Sequence, residues 1–215
     1  MADSNQFSLL GQRRFAPFFA TQFLGAFNDN IFRNGLIIVI TFQGIQVFGL
    51  NASELANIAG ALFILPFLLF SAPAGQFADK YEKSGLMRAV KIIEIFLMLI
   101  AGFAFVGNHF QILFIVLFLM GCQSTLFGPV KFAYIPQNLS TNELIGGNAL
   151  VESGTYLAII LGLLVGGLSV AIDPANRYVL SASLISVAVL GYIASRGIPE
   201  TRPADPGLKV SWNLW

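Results

Sequence analysis

The sequence predicts an all-α integral membrane protein with six transmembrane helices. Three observations lead there. The first is composition: 56% of the residues are hydrophobic and 11% charged, with a mean hydropathy of +0.75. A water-soluble domain usually carries about 25% charged residues. The second is length. The apolar residues gather in six runs, each near the roughly 20 residues that a helix needs to cross a hydrocarbon core. The third is the placement of the basic residues. Arg13, Arg14, Lys80, Lys83, Arg88, Arg196, Arg202 and Lys209 fall at one end of the alternating runs, and Arg177 alone falls in a loop at the other. By the positive-inside rule, both termini and the loop around residue 80 are cytoplasmic.

The same counts exclude other classes. A formal net charge of +1 leaves no basic face for nucleic acid. The single Cys122 lies in an apolar run and reads as a packed helix residue. It cannot form an intrachain disulfide, and a lone cysteine has no metal-ligand spacing. No cofactor is expected, and no nucleophile–base arrangement points to an enzyme within these residues. The N-terminus does not read as a signal peptide. Its first apolar run is too long, contains charges and lacks a small-x-small cleavage site.

Residues 1–14 read as a short polar tail on the cytoplasmic side. The first helix, Phe15–Phe42, would be about 40 Å long, which exceeds the hydrocarbon core. It carries Asn28, Asp29, Asn30, Arg33 and Asn34 at its middle. A charge there costs at least about 2.5–3.5 kcal/mol unless it faces protein or a water-filled cavity. Gly44, Gly49 and Asn51 make a loop. The second helix opens at Ala52-Ser53-Glu54 and runs to Phe77, with Pro66 and Pro73 inside. Proline is tolerated in membrane helices and commonly kinks them. The densest charged stretch, residues 78–85, follows.

The third helix is placed at Leu86–Val106, then a turn at Gly107-Asn108-His109, then the fourth helix at Phe110–Leu126. Residues 128–139 are apolar but hold Pro129 and Pro136. They read either as a kinked continuation of the fourth helix or as a segment along the membrane surface. Ser140-Thr141-Asn142-Glu143 is a capping-box pattern, so the fifth helix is placed from there to Ile172. After a turn at Asp173-Pro174-Ala175-Asn176, the sixth helix is Arg177–Ser195. The membrane domain is thus 15–195. Residues 196–215 are polar, Pro-rich and expected to be loose.

The charges inside helices carry the functional expectation. Asp29 and Arg33 stand four apart and share a face, as do Asn30 and Asn34 one step round. Together they form a polar stripe, read either as a site or as an intrahelical salt bridge. Lys91 and Glu94 form a second pair, for which a packing role is favoured, with Lys91 also able to snorkel to the surface. Glu152 stands alone in the fifth helix. Gly154, Ala158, Gly162 and Gly166 make a small-residue ridge for close helix packing.

Gly75-Gln76-Phe77-Ala78-Asp79-Lys80, with Lys83 close behind, resembles the signature loop between helices 2 and 3 of the major facilitator superfamily. Glu82 stands where that pattern has a second glycine. The resemblance implies a gating role for Gly75, Asp79, Lys80 and Lys83. Within that superfamily, residues 22–30 are similar to the start of bacterial lysophospholipid transporters. So are Phe127-Gly128-Pro129-Val130-Lys131-Phe132-Ala133-Tyr134 and Asn148-Ala149-Leu150-Val151-Glu152-Ser153.

The resemblance implies the N-terminal half of a twelve-helix fold made of inverted three-helix repeats. It also implies a missing six-helix half, with residues 196–215 the start of the central cytoplasmic linker. The implied function is lysophospholipid transport across a bacterial inner membrane, with lipids and the lysophospholipid as partners. Asp29, Asn30, Arg33, Asn34, Glu152 and Lys131 are the candidate substrate- or proton-binding residues. Two alternatives stand beside it: a proton-coupled carrier of a small solute or drug, and the membrane module of an acyltransferase fusion.

Overall fold

A computed structural model describes residues 6–211. The extreme tail residues 1–5 and 212–215, part of the expected cytoplasmic tail and linker, lie outside the described residues. Six long helices follow a short 3-10 helix at Gln6–Gly11: α1 (Ala16–Phe42), α2 (Ala52–Lys80), α3 (Lys83–Val106), α4 (Phe110–Asn138), α5 (Leu144–Ile172) and α6 (Tyr178–Arg196). The helix count and order match the sequence reading. By length and composition, α2 to α6 are each apolar enough to cross a membrane. α1 is long enough at 27 residues, but its central polar residues dilute its hydropathy.

The packing repeats itself. α1 lies against α5 and α6, α4 lies against α2 and α3, and α3 meets α6. Exchanging α1 with α4, α2 with α5 and α3 with α6 reproduces the same pairs. This is the pattern expected of two three-helix repeats. Glycine sets the closest approaches. A Cβ on Gly162 would stand 2.6 Å from the Asn30 Cβ and 2.8 Å from the Phe27 carbonyl; one on Gly166 would be 2.9 Å from the Ile31 carbonyl. The small-residue ridge of α5 therefore lets the α1 backbone in. On the matching pair, a Cβ on Gly121 would be 2.5 Å from the Phe63 carbonyl of α2.

The core lies between α1, α3, α4 and α6, around Phe32, Leu36, Met98, Phe105, Leu117, Met120 and Leu184, all buried. Phe32 and Phe105 meet edge to face at 5.7 Å. Large apolar side chains such as Leu68, Phe103 and Ile145 stay exposed on the outside. In water that surface would be very costly, and in lipid it is the expected outer face.

Four local features resolve or differ from the sequence expectation. Of the two readings of residues 128–139, continuation of the fourth helix is the one observed: α4 runs unbroken through Pro129 and Pro136 to Asn138. α2 holds its two prolines inside, as expected, and ends at Lys80, three residues beyond Phe77. The Ser140–Glu143 box is only half formed. The Glu143 carboxylate accepts from the Ser140 amide (2.9 Å) and hydroxyl (2.7 Å), but the hydroxyl does not cap, and α5 begins at Leu144. The complete box is at Asn51 and Glu54, where each side chain accepts from the other's amide.

The fourth difference is the segment after α6. It is not loose through residue 211 but crosses the α2–α3 loop. The Glu82 carboxylate accepts from the Thr201 amide and hydroxyl at 2.9 and 3.0 Å. It also accepts from the Ser84 and Gly85 amides at 2.7 and 2.6 Å. Burial alone would raise the Glu82 pKa, but these amides and the Ser84 hydroxyl together hold it below its ordinary value. The Asp79 carbonyl accepts from the Ala204 and Asp205 amides, and Arg88 donates to the Ile198 carbonyl.

Candidate functional site

The site forms where the polar middle of α1 faces α3 and α4. A helix places residues three and four apart on one face, so Gln22, Gly25, Ala26 and Asp29 of α1 look one way. They line a cavity of about 260 Å³ together with Lys91 and Glu94 of α3, Gln123, Ser124 and Lys131 of α4, and Thr155 of α5. Phe67 and Phe127 close its apolar sides.

Asp29 is held by the Ser124 hydroxyl, which donates to its Oδ2 at 2.7 Å. Its other oxygen, Oδ1, is buried and has no hydrogen-bond partner. The intrahelical Asp29–Arg33 salt bridge, one of the two readings of the stripe, does not form. Arg33 donates to the Asn30 side-chain oxygen at 3.1 Å and stacks over the Phe63 ring of α2 at 5.8 Å. Four residues of helix turn leave the two charges aimed at different neighbours. Asn30 and Asn34 do not reach the cavity. Each donates to the carbonyl four residues earlier, of Ala26 and Asn30 respectively, and Asn30 packs against Gly162. Of the predicted α1 stripe, only Asp29 lines the cavity.

Lys131 lines the cavity and pairs with Glu152 at 3.1 Å. Its ammonium also sits 4.5 Å from the Phe132 ring. Glu152 is half exposed beside it. The structure thus brings Asp29 and Lys131 to one cavity and links Glu152 through Lys131.

The most deeply buried charges of the cavity wall are the ones for which sequence reasoning favoured a packing role. Lys91 and Glu94 lie 2.6 Å apart and are only 2% and 1% exposed. Lys91 does not snorkel. It runs inward between Gly25 of α1 and Gly191 of α6, either of which would crowd its side chain if it carried a Cβ. Asn28 of α1 donates to the second Glu94 oxygen at 2.8 Å. Burying two ions is costly, and the Asn28 bond satisfies a lone pair that would otherwise be left in apolar surroundings. The signal was present in the sequence: two opposite charges three apart inside an apolar run. What the sequence could not show was that glycines on α1 and α6 leave a channel for the Lys91 stem. Gln123-Ser124, a polar pair within the apolar α4, was likewise missed.

The predicted gating residues lie at one end of the bundle. Asp79 is exposed, and its carboxylate has no partner among the described residues. Gly75 has open space where a Cβ would stand, so no described helix approaches it. Lys80 lies 5.6 Å from the Tyr81 ring. Lys83 is buried and donates to the Arg202 carbonyl at 3.4 Å, so it holds the returning segment.

Comparison with known proteins follows this geometry. Residues 18–213 match the family described as the Major Facilitator Superfamily. The chain is 28% identical over 204 residues to a protein of Klebsiella pneumoniae named "Lysophospholipid transporter LplT". It is 26% identical over 209 residues to the protein of that name from Cronobacter sakazakii, and 27% over 206 residues to that from Escherichia coli. Each alignment covers 87% of this chain and 48% of the relative. The chain therefore spans about half the length of the curated relatives it matches.

Proposed function

We propose, since this chain belongs to the Major Facilitator Superfamily, that it forms one six-helix half of a secondary transporter carrying lysophospholipid across the bacterial inner membrane. One observation carries the reading. Buried charges of both signs line a single cavity in a bundle whose outer surface is apolar. A charge inside a membrane segment is costly and marks a pathway or binding site by default. A zwitterionic head group faces the same cost in lipid. In the cavity its ammonium would meet Asp29 and its phosphate would meet Lys131, while the acyl chain stays against apolar walls or lipid. The relatives' shared name and their double length support the substrate class and a second six-helix half.

Orientation is part of the proposal. The segment after α6 meets the α2–α3 loop through Glu82 and Thr201. Arg14 joins the α4–α5 loop at Asn138 and Glu143. These contacts gather at the end that holds most of the basic residues, which supports cytoplasmic termini. Gating is the proposed role of Asp79. Its unpartnered carboxylate, and the open space at Gly75, suit contact with the second half.

The test is uptake of labelled lysophosphatidylethanolamine by spheroplasts with and without the full-length gene. Uptake that depends on the gene is expected. Equal uptake would overturn the substrate and favour a proton-coupled carrier of a small solute.

A further inference from the structure

Glu82 stands where the signature-loop pattern has its second glycine, and a glycine could make none of the bonds that this side chain makes. Its carboxylate has two sets of donors. One set belongs to the start of α3: the Ser84 and Gly85 amides, at 2.7 and 2.6 Å. The other belongs to the segment after α6: the amide and hydroxyl of Thr201, at 2.9 and 3.0 Å. An ionised acceptor makes stronger hydrogen bonds than a neutral one. The Glu82–Thr201 clasp is therefore a firm link between that segment and the α2–α3 loop.

The rest of the segment follows one track. Ile198, 2% exposed, belongs to the buried cluster of Phe15, Met87 and Tyr134, and Arg88 donates to its carbonyl at 3.1 Å. Beyond Thr201 the chain turns back along the end of α2. The last four carbonyls of a helix have no partner within it. That of Asp79 accepts from the Ala204 and Asp205 amides at 2.9 and 3.0 Å. One turn further in, the Gln76 side-chain amide exchanges two hydrogen bonds with the Ser211 backbone, at 2.6 and 3.2 Å. Lys83 is fully buried, and the one hydrogen-bond partner of its ammonium among the described residues is the Arg202 carbonyl. Lifting the segment would take that partner away, so the fastened arrangement is the resting one. None of these bonds uses the exposed Asp79 carboxylate. The segment holds Asp79 by its backbone and leaves the side chain free.

Building on the transporter reading above, we propose that Glu82 is a positioning residue for the cytoplasmic gate. By clasping Thr201 it straps residues 198–211 across the ends of α2 and α3, and so fixes how Asp79 is presented to the second six-helix half. Glu82 touches no substrate. Its loss therefore slows the transport cycle without weakening the binding of lysophospholipid.

Two measurements on the full-length protein test this together. Glu82→Ser keeps a hydroxyl that can cap α3 but lacks the reach and the second oxygen needed to hold Thr201. Peptide-resolved hydrogen exchange over residues 199–206 should quicken roughly tenfold in this variant, the size of one lost hydrogen bond to a charged group. The maximal rate of labelled lysophosphatidylethanolamine uptake should drop, with the half-saturating concentration unchanged. Unchanged exchange would overturn the clasp. An unchanged maximal rate, or a loss seen only in the half-saturating concentration, would overturn the positioning role.

A second variant separates the clasp from a general folding defect. In a Cys122→Ser background, Glu82→Cys with Thr201→Cys removes the clasp and lets a short bifunctional thiol reagent replace it. Uptake should be slow before the reagent is added and recover once the two thiols are linked. Uptake that stays slow or stops on linking would mean that the segment must lift, and would overturn the proposal. Faster exchange in Glu82→Ser, with no gene-dependent uptake by the wild type, would keep the clasp and reject the lysophospholipid reading.

Discussion

The buried Lys91–Glu94 pair gives a prediction whose size follows from the structure. Glu94→Gln keeps the side chain's length and the oxygen that accepts from Asn28, but removes the charge that faces Lys91 at 2.6 Å. The ammonium stays, 2% exposed and without its anion. Breaking a buried pair from one side costs about 3–5 kcal/mol, because an uncompensated charge remains. The adjoining cavity admits some solvation, so the low end, about 3 kcal/mol, is expected. For a chain of this size, that lowers the thermal midpoint by roughly 6–12 °C. The assay is thermal unfolding of the purified full-length protein in detergent. Lys91→Met combined with Glu94→Gln removes both charges and should recover most of the loss. An unchanged midpoint in the single variant would mean that Lys91 finds another anion, Asp29 foremost, and would refute the reasoning. So would a double variant no more stable than the single.

Three further outcomes are expected. Gly162→Ala places a methyl within 2.6–2.8 Å of Asn30 and the Phe27 carbonyl and should destabilise by about 1–3 kcal/mol. Gly60→Ala, with nothing within 4 Å, should not lower the midpoint in the same melt. Glu143 accepts from Arg14 at 2.6 Å, which with the Ser140 bonds holds its pKa down to about 2. A depressed carboxylate stabilises above its ordinary pKa and loses that contribution as pH falls toward the depressed value. The wild-type midpoint should therefore fall more steeply between pH 5 and pH 3 than that of Glu143→Gln. Finally, with Cys122→Ser as background, a periplasmic thiol reagent should label His109→Cys and Asn176→Cys but not Tyr81→Cys; labelling at 81 would reverse the orientation.

The sequence reading reached most of the fold because the signals that define it are local. Apolar runs, polar turns and the segregation of basic residues place six helices without any knowledge of their neighbours. At Pro129 and Pro136 it left two readings open, because whether a break in helical hydrogen bonding is tolerated depends on the adjacent helices that support the chain; the helical continuation is the one observed. The site was half legible. Asp29 was identifiable by its cost alone. Which way Arg33 turns was not legible, because four-residue spacing states which residues share a face, not which partner each side chain prefers; it meets the Asn30 oxygen and the Phe63 ring. Lys91 and Glu94 were undervalued because their depth depends on Gly25 and Gly191, on two other helices. The returning segment at Thr201 was invisible for the same reason, since Glu82 is more than a hundred residues away.

The central claim is that Asp29 meets the substrate and does not merely pack. Because it does not pair with Arg33, Asp29→Asn leaves no orphaned arginine. Asn also keeps an oxygen for the Ser124 hydroxyl. The decisive measurement is lysophosphatidylethanolamine uptake by spheroplasts expressing full-length Asp29→Asn protein, at a membrane level matched to wild type. The account predicts that uptake is lost although the protein inserts and melts normally. Uptake at the wild-type rate would contradict it.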